Sequence, residues 1–211
     1  MRAVVVSGGK APSEKLLKSI LKVDDYLIGV DKGCNCLFEY DLKPDLILGD
    51  FDSADIKVIE RFKEEGIKIL KFNCDKDYTD TDLGYLKAIE AGADEVIFMG
   101  VTGTRIDHML ANVGVLMKAF KEGIKAEIID DNNRMFLIDK ETKLKGEFGE
   151  TISFHALSDV VKNVCIKDGR YPLENYDMTL LEPRAICNEF VDKEITISFD
   201  SGLVMVIYPR D

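Results

Sequence analysis

The stretch Gly49-Asp50-Phe51-Asp52-Ser53 follows directly on the apolar run Leu46-Ile47-Leu48. A second acidic cluster, Asp75-Lys76-Asp77-Tyr78-Thr79-Asp80-Thr81-Asp82, follows the run Ile67-Lys68-Ile69-Leu70. Carboxylate clusters at the ends of successive strands suit one kind of chemistry. Hard cations take oxygen ligands, and Mg²⁺ typically sits on one or two carboxylates with waters and substrate phosphates. The chain therefore reads first as an enzyme of phosphate chemistry.

The elements that must place these residues alternate. Apolar runs at 3–6, 26–30, 46–48, 67–70, 95–99 and 126–129 read as strands. Between them lie helical patterns at 13–22, 55–65, 81–91 and 108–122, the last three closed by Gly66, Gly92 and Gly123. This βαβα order predicts an α/β fold with a parallel sheet covered by helices on both faces. After the polar turn at 130–133 the pattern changes to short alternating runs at 134–138, 151–155, 163–166, 194–199 and 203–208, with no convincing helix. That predicts an antiparallel sandwich or barrel. The expected domains are 1–131 and 132–211.

In an open α/β sheet, ligands bind beyond the carboxyl ends of the strands. Ser7-Gly8-Gly9, Asp31-Lys32-Gly33, 49–53, 75–82 and 100–105 all fall on that edge. Asp50 and Asp52 share a face if the segment is extended; the alternative is a turn whose aspartates cap the helix beginning near Asp55. Asp80 and Asp82 lie about 200° apart around a helix, so Asp80 is the better metal ligand and Asp82 has a supporting or solvent role. Asp75 and Asp77 are ligands or turn residues, and Lys76 is a phosphate contact or a salt-bridge partner. The turn Gly100-Val101-Thr102-Gly103-Thr104-Arg105 opens a helix, where backbone amides form an anion site. Arg105 adds a planar donor for a phosphoryl oxygen, or else pairs with Asp107. Met99, Met109 and Met117 are read as core fillers.

Composition bounds the rest. The chain has 211 residues, with 28 basic against 39 acidic side chains, a net charge of −11. That balance argues against nucleic acid or an anionic membrane as partner. No run approaches the length of a membrane span, and no secretory leader is evident. Five cysteines without a C-x-x-C pair and only His108 and His155 make zinc improbable, and predict reduced thiols in a cytoplasm.

These motifs resemble the thiamin pyrophosphokinase family over essentially the whole chain. The resemblance is carried by G-D-F-D-S at 49–53, D-K-D-x-T-D at 75–80, G-x-T-G-x-R-x-D-H at 100–108 with Asn112, and G-R-Y-P-L-E at 169–174. Cys187-Asn188-Glu189 is similar to the family's S-N-E, and Ser201-Gly202-Leu203 to its final strand. The resemblance implies a Rossmann-like catalytic domain, then a β-sandwich domain for thiamin binding and dimerisation, in a homodimer with the active site at the subunit interface. It implies the reaction ATP + thiamin → AMP + thiamin diphosphate, with ATP as co-substrate and Mg²⁺ held by Asp50, Asp52 and Asp80. Asp31, Asn35, Lys76, Thr79, Arg105 and Asp107 would line the nucleotide and reaction site beside Thr102 and Gly103, with thiamin near Asn188 and Ser201. Either Asp107 or Asp31 would take the hydroxyl proton. This chain has Cys187 where the family has Ser, Asp31-Lys32-Gly33 where D-G-G is commoner, and no Trp. Three other readings use the same residues: transfer to another hydroxymethyl heterocycle such as a pterin, a metal-dependent phosphohydrolase, and a nucleotide sensor.

Overall fold

The computed structural model describes residues 1–72, 78–103 and 105–210, and its contacts divide the chain into Met1–Asp131 and Asn132–Asp211. The first unit alternates β1 (Arg2–Val6), α1 (Glu14–Ile20), β2 (Tyr26–Val30), α2 (Gly33–Glu39), β3 (Leu46–Gly49), α3 (Ile56–Glu64), β4 (Lys68–Lys71), α4 (Asp80–Glu90), β5 (Glu95–Met99), α5 (Ile106–Lys121) and β6 (Lys125–Ile129). Its strands run β6-β5-β1-β2-β3-β4, and every pair is parallel. Strands buried on both faces cannot alternate, so β1 and β3 are continuous apolar runs. Order reverses between β1 and β5, which makes the carboxyl ends of the central strands the natural ligand crevice.

Local chemistry sets where the helices start and stop. Ser13, Asp55 and Thr79 cap α1, α3 and α4, accepting from Leu16, Lys57 and Asp82 backbone N–H groups. Gly66, Gly92 and Gly123 follow the last turns with φ of 76, 93 and 75°. The sequence reading missed α2, because it opens on Gly33 behind Lys32, which makes no side-chain cap bond. Met99 is fully buried as expected, whereas Met109 and Met117 are only half-buried on α5.

The second unit is a sandwich. One sheet joins β7 (Asn133–Ile138), β14 (Val204–Pro209), β9 (Thr151–Ala156) and β12 (Asn188–Glu189). The other has the order β11 (Leu173–Thr179), β10 (Val160–Lys167), β13 (Glu194–Ser198), β8 (Thr142–Lys145). All these pairs are antiparallel. Ile152, Phe154, Val204 and Val206 of the first meet Val161, Val164, Ile166, Ile195 and Ile197 of the second in one core. The strands β8, β11 and β12 escaped the sequence reading; β11 buries only Met178, so it has no apolar alternation to read.

Phe154 is fully buried between the two sheets. Phe154→Ala is expected to cost about 3–5 kcal/mol through lost burial and a residual cavity. Equilibrium urea unfolding checks this, and a loss below about 1 kcal/mol would show that this side chain does not close the sandwich.

Candidate active site

The site begins where β2 and β3 end side by side. Val30 pairs with Leu48, so Asp31 and Gly49 leave the sheet as neighbours. Asp31 adopts a left-handed backbone, φ 47°, which Asp tolerates better than most residues. Its N–H donates to the Leu48 carbonyl at 2.9 Å. Its carboxylate then folds back over the end of β3, where a Cβ on Gly49 would stand 2.1 Å from Asp31 Oδ1. Only glycine fits there, and its φ of 147° is itself unfavourable for an L side chain.

Beyond Gly49 the chain wraps around that carboxylate. Phe51, at a left-handed φ of 60°, donates its N–H to Asp31 Oδ1 at 3.0 Å. Such a conformation costs a β-carbon residue on the order of 1 kcal/mol, so the surroundings hold it. Asp52 donates its N–H to Asp50 Oδ1 at 3.0 Å. The outcome is that one oxygen from each of Asp31, Asp50 and Asp52 lies within 4.8 Å of the others. Asp55, not Asp50 or Asp52, caps α3, which leaves the two motif aspartates for other work.

The first turn of α4 supplies the fourth carboxylate. Successive helical residues point about 100° apart, and residues 80–82 go to three different partners. Asp80 shares a hydrogen bond with the Asp31 carboxyl. Thr81 Oγ1 donates to Ser7 Oγ at 3.0 Å in a buried contact. Asp82 accepts from Lys118 Nζ at 2.8 Å, so it faces away from the cluster, as the 200° argument requires. The sequence expectation put Asp50, Asp52 and Asp80 together on the metal. Asp50 and Asp52 converge with Asp31 as well, because the β2–β3 register brings Asp31 to the same corner, and Asp80 meets Asp31 from the first turn of α4.

Electrostatics follow from this crowding. Burial, and then the Asp80 charge, push the Asp31 carboxyl up to about 7. The neighbouring Asp50 charge raises Asp52 as well. Two carboxylates at hydrogen-bonding distance cannot both be ionised without a cation or a shared proton.

The other expected residues lie around this floor. Asn35 Oδ1 accepts from the Asp55 N–H at 3.0 Å, tying α2 to the loop after β3. Thr79 is the α4 cap. The loops after β1 and β5 zip together, Gly9 N–H to the Gly100 carbonyl and Lys10 N–H to the Thr102 carbonyl, each at 2.7 Å. Gly103 follows them with an exposed backbone. Thr102 Oγ1 donates to Asp130 at 2.8 Å, and buried Asn112 donates to the Val101 carbonyl at 2.7 Å, pinning the turn to α5. Arg105 and Asp107 are bound to each other at 2.5 Å with side chains 69% and 64% exposed. That bond holds Asp107 down at about 2. Lys76, with Asp75 and Asp77, lies outside the described residues.

In the second unit the two C-terminal motifs meet. Asn188, only 2% exposed, accepts from the Tyr171 N–H at 3.0 Å and donates to the Tyr171 carbonyl at 2.8 Å. Arg170 pairs with Glu189 at 2.7 Å, and a Cβ on Gly169 would stand 2.8 Å from Asn188 Oδ1. The amide of Asn188 is therefore committed to presenting exposed Tyr171, a role that no local sequence signal announces. Ser201 is exposed, and its carbonyl accepts from Lys162 N–H at 3.0 Å.

A Rossmann-like α/β unit with carboxylates at its sheet edge, followed by a small β-sandwich, defines a protein of phosphate-transfer architecture. The family models for the thiamin pyrophosphokinase catalytic domain and the thiamin pyrophosphokinase vitamin B1 binding domain match residues 17–128 and 137–204. The chain belongs to the thiamin pyrophosphokinase family. A thiamine pyrophosphokinase of Bacillus subtilis is 33% identical over 186 residues, covering 87% of each chain. The crystal structure of a Bacillus subtilis thiamine pyrophosphokinase superposes with a TM-score of 0.90 at 29% identity, covering 100% of both chains. Yeast thiamin pyrophosphokinase shares the fold, with a TM-score of 0.83 at 15% identity over 99% of this chain and 86% of its own.

Asp31 ionises near 7 in the fold, well above the ordinary carboxylate range of about 4 that it has in the unfolded chain. Its charge therefore opposes folding increasingly as pH rises from about 4 to 7, and fully above that. Without divalent cation, Asp31→Asn is expected to exceed the native protein in stability by about 1–3 kcal/mol at pH 8 and to match it at pH 4. Thermal unfolding in EDTA at the two pH values checks this; equal stability at pH 8 would contradict the crowding.

Proposed function

We propose that pyrophosphoryl transfer takes place on the acidic floor formed by Asp31, Asp50, Asp52 and Asp80. The reaction is the family's: the chain is a thiamine diphosphokinase, making thiamin diphosphate from thiamin and ATP. The observation that carries the assignment of the site is the convergence of three carboxylates within 4.8 Å at the carboxyl edge of the sheet. A donor set made only of carboxylate oxygens suits a hard divalent cation, and burial together with the Asp80 charge raises the Asp31 carboxyl. Mg²⁺ would be held by Asp50, Asp52 and Asp80 with Asp31 beside them, and when bound it supplies charge neutralisation to the phosphates.

The chain's own residues do the remaining work. Asn35, Thr79, Thr102 and Gly103 line the nucleotide side, and Lys76 is a nucleotide contact by the family resemblance. Arg105 exchanges Asp107 for a phosphoryl oxygen and takes up charge as the thiamin hydroxyl attacks the β-phosphorus and AMP leaves. The hydroxyl proton passes to Asp31 or to Asp107. Such transfers depend mainly on positioning and charge.

The second unit is the thiamin-binding domain in this reading, supported by the vitamin B1 binding model over 137–204. Asn188 acts there through Tyr171, and Ser201 lies on its rim. The working form is a homodimer with the active site at the subunit interface; exposed Tyr171, Leu180, Leu181 and Ile186 give the second unit apolar surface to bury. A cytoplasmic location agrees with free thiols at Cys34, Cys36, Cys165 and Cys187. Among the described residues no helix is long and apolar enough to cross a membrane.

With ATP, Mg²⁺ and thiamin, AMP is expected in step with thiamin consumption; ADP as the stoichiometric product would rule out pyrophosphoryl transfer. Asp50→Asn and Asp52→Asn keep shape and remove charge. Each is expected to lower kcat at least about 10²-fold with unchanged circular dichroism. Near-native turnover with ordinary Mg²⁺ dependence would remove these residues from the site.

A further inference from the structure

Lys118, in the last turn of α5, has no part in the site described so far. Its ammonium lies 2.8 Å from Asp82 Oδ1 and 5.6 Å from the ring centroids of both Tyr78 and Tyr85. Tyr78 and Asp82 stand two residues before and two residues after Asp80. A single cation thus grips the chain on both sides of the carboxylate that meets Asp31. The Lys118 and Asp82 side chains are 32% and 16% exposed, shielded enough for the contact to exceed an open surface pair. Aromatic faces around the ammonium add to it. Tyr85 is itself fixed by donating to Glu122 at 2.5 Å.

We propose that Lys118 is a positioning residue for the diphosphokinase reaction: by holding Asp82 and Tyr78 it sets the rotation of the first turn of α4, and with it the place of Asp80 in the carboxylate cluster. The inference rests on reading that cluster as the metal site. Thr81 on Ser7 fixes the same turn from the other side, so rotation of α4 is the freedom that Lys118 removes. Charge and position predict opposite signs. As a nearby positive charge, Lys118 disfavours a bound cation, so removing it by charge alone would tighten metal binding. As a positioning residue, its removal loosens binding.

The test measures Mn²⁺ binding to the full-length protein from the EPR signal of the free ion, in native, K118M, K118R and Y85F forms. K118M is expected to weaken Mn²⁺ affinity about 10-fold or more, the scale for losing a residue that orients a ligand. Its kcat should fall with little change in the KM for thiamin. K118R should restore most of the affinity. Y85F, which loses only the bond to Glu122, should lower stability yet bind Mn²⁺ as the native protein does. K118M binding Mn²⁺ as tightly as native, or more tightly, would overturn the proposal. So would Y85F weakening binding as much as K118M, which would trace the effect to general loosening of α4 against α5. Should K118M fail to fold, K118Q is judged by the same criteria. A native protein that binds no Mn²⁺ would overturn the metal site itself and this inference with it.

Discussion

Asp31, Asp50, Asp52 and Asp80 repel one another at the carboxyl edge of the parallel sheet, and much of the first unit is arranged to hold them together despite that. Left to itself a carboxylate would turn to water. Here Asp31 is pinned by accepting from the Phe51 N–H, and Gly49 is bare so that the carboxylate can lie across it. The left-handed backbones of Asp31 and Phe51 belong to the same arrangement. Local strain and like-charge crowding persist only where surrounding structure over-determines them. The buried apolar strands β1, β2 and β3 provide that structure.

The same constraint explains the first turn of α4. A helix that carried Asp80 alone could relieve the repulsion by rotating away. Thr81 on Ser7 and Asp82 on Lys118 leave it no such freedom. The loops after β1 and β5, zipped to each other and braced by Asn112, form the opposite wall. A fold that accepts this crowding gives up stability in the metal-free state for a site ready to take a cation and a polyphosphate, a common trade at functional sites.

Much of this was legible in the sequence, for physical reasons. Parallel strands announce themselves as apolar runs, and the polar clusters that follow them fall on the edge where ligands bind, so Asp50, Asp52 and Asp80 could be singled out. Asp31 could not be placed with them by spacing, because its position depends on the register that pairs Val30 with Leu48. Lys118 stands 36 residues from Asp82, and nothing local to a lysine in a last helical turn signals such a partner. Helix α2 lacks a capping side chain and opens on glycine, so the usual start signals are missing. Asn188 read as a substrate contact by resemblance; that its buried amide also bolts down Tyr171 is a relation between motifs that only the folded chain displays.

The most direct test of the account is the proton balance of cation binding. If the cluster holds a proton near neutrality because four carboxylates crowd one corner, a divalent ion must displace it. Mg²⁺ titration by calorimetry at pH 7, in two buffers of different ionisation enthalpy, gives the number of protons released. With Asp31 raised to about 7 by burial and the Asp80 charge, the account predicts net proton release on Mg²⁺ binding. Binding of Mg²⁺ with no proton released would contradict it.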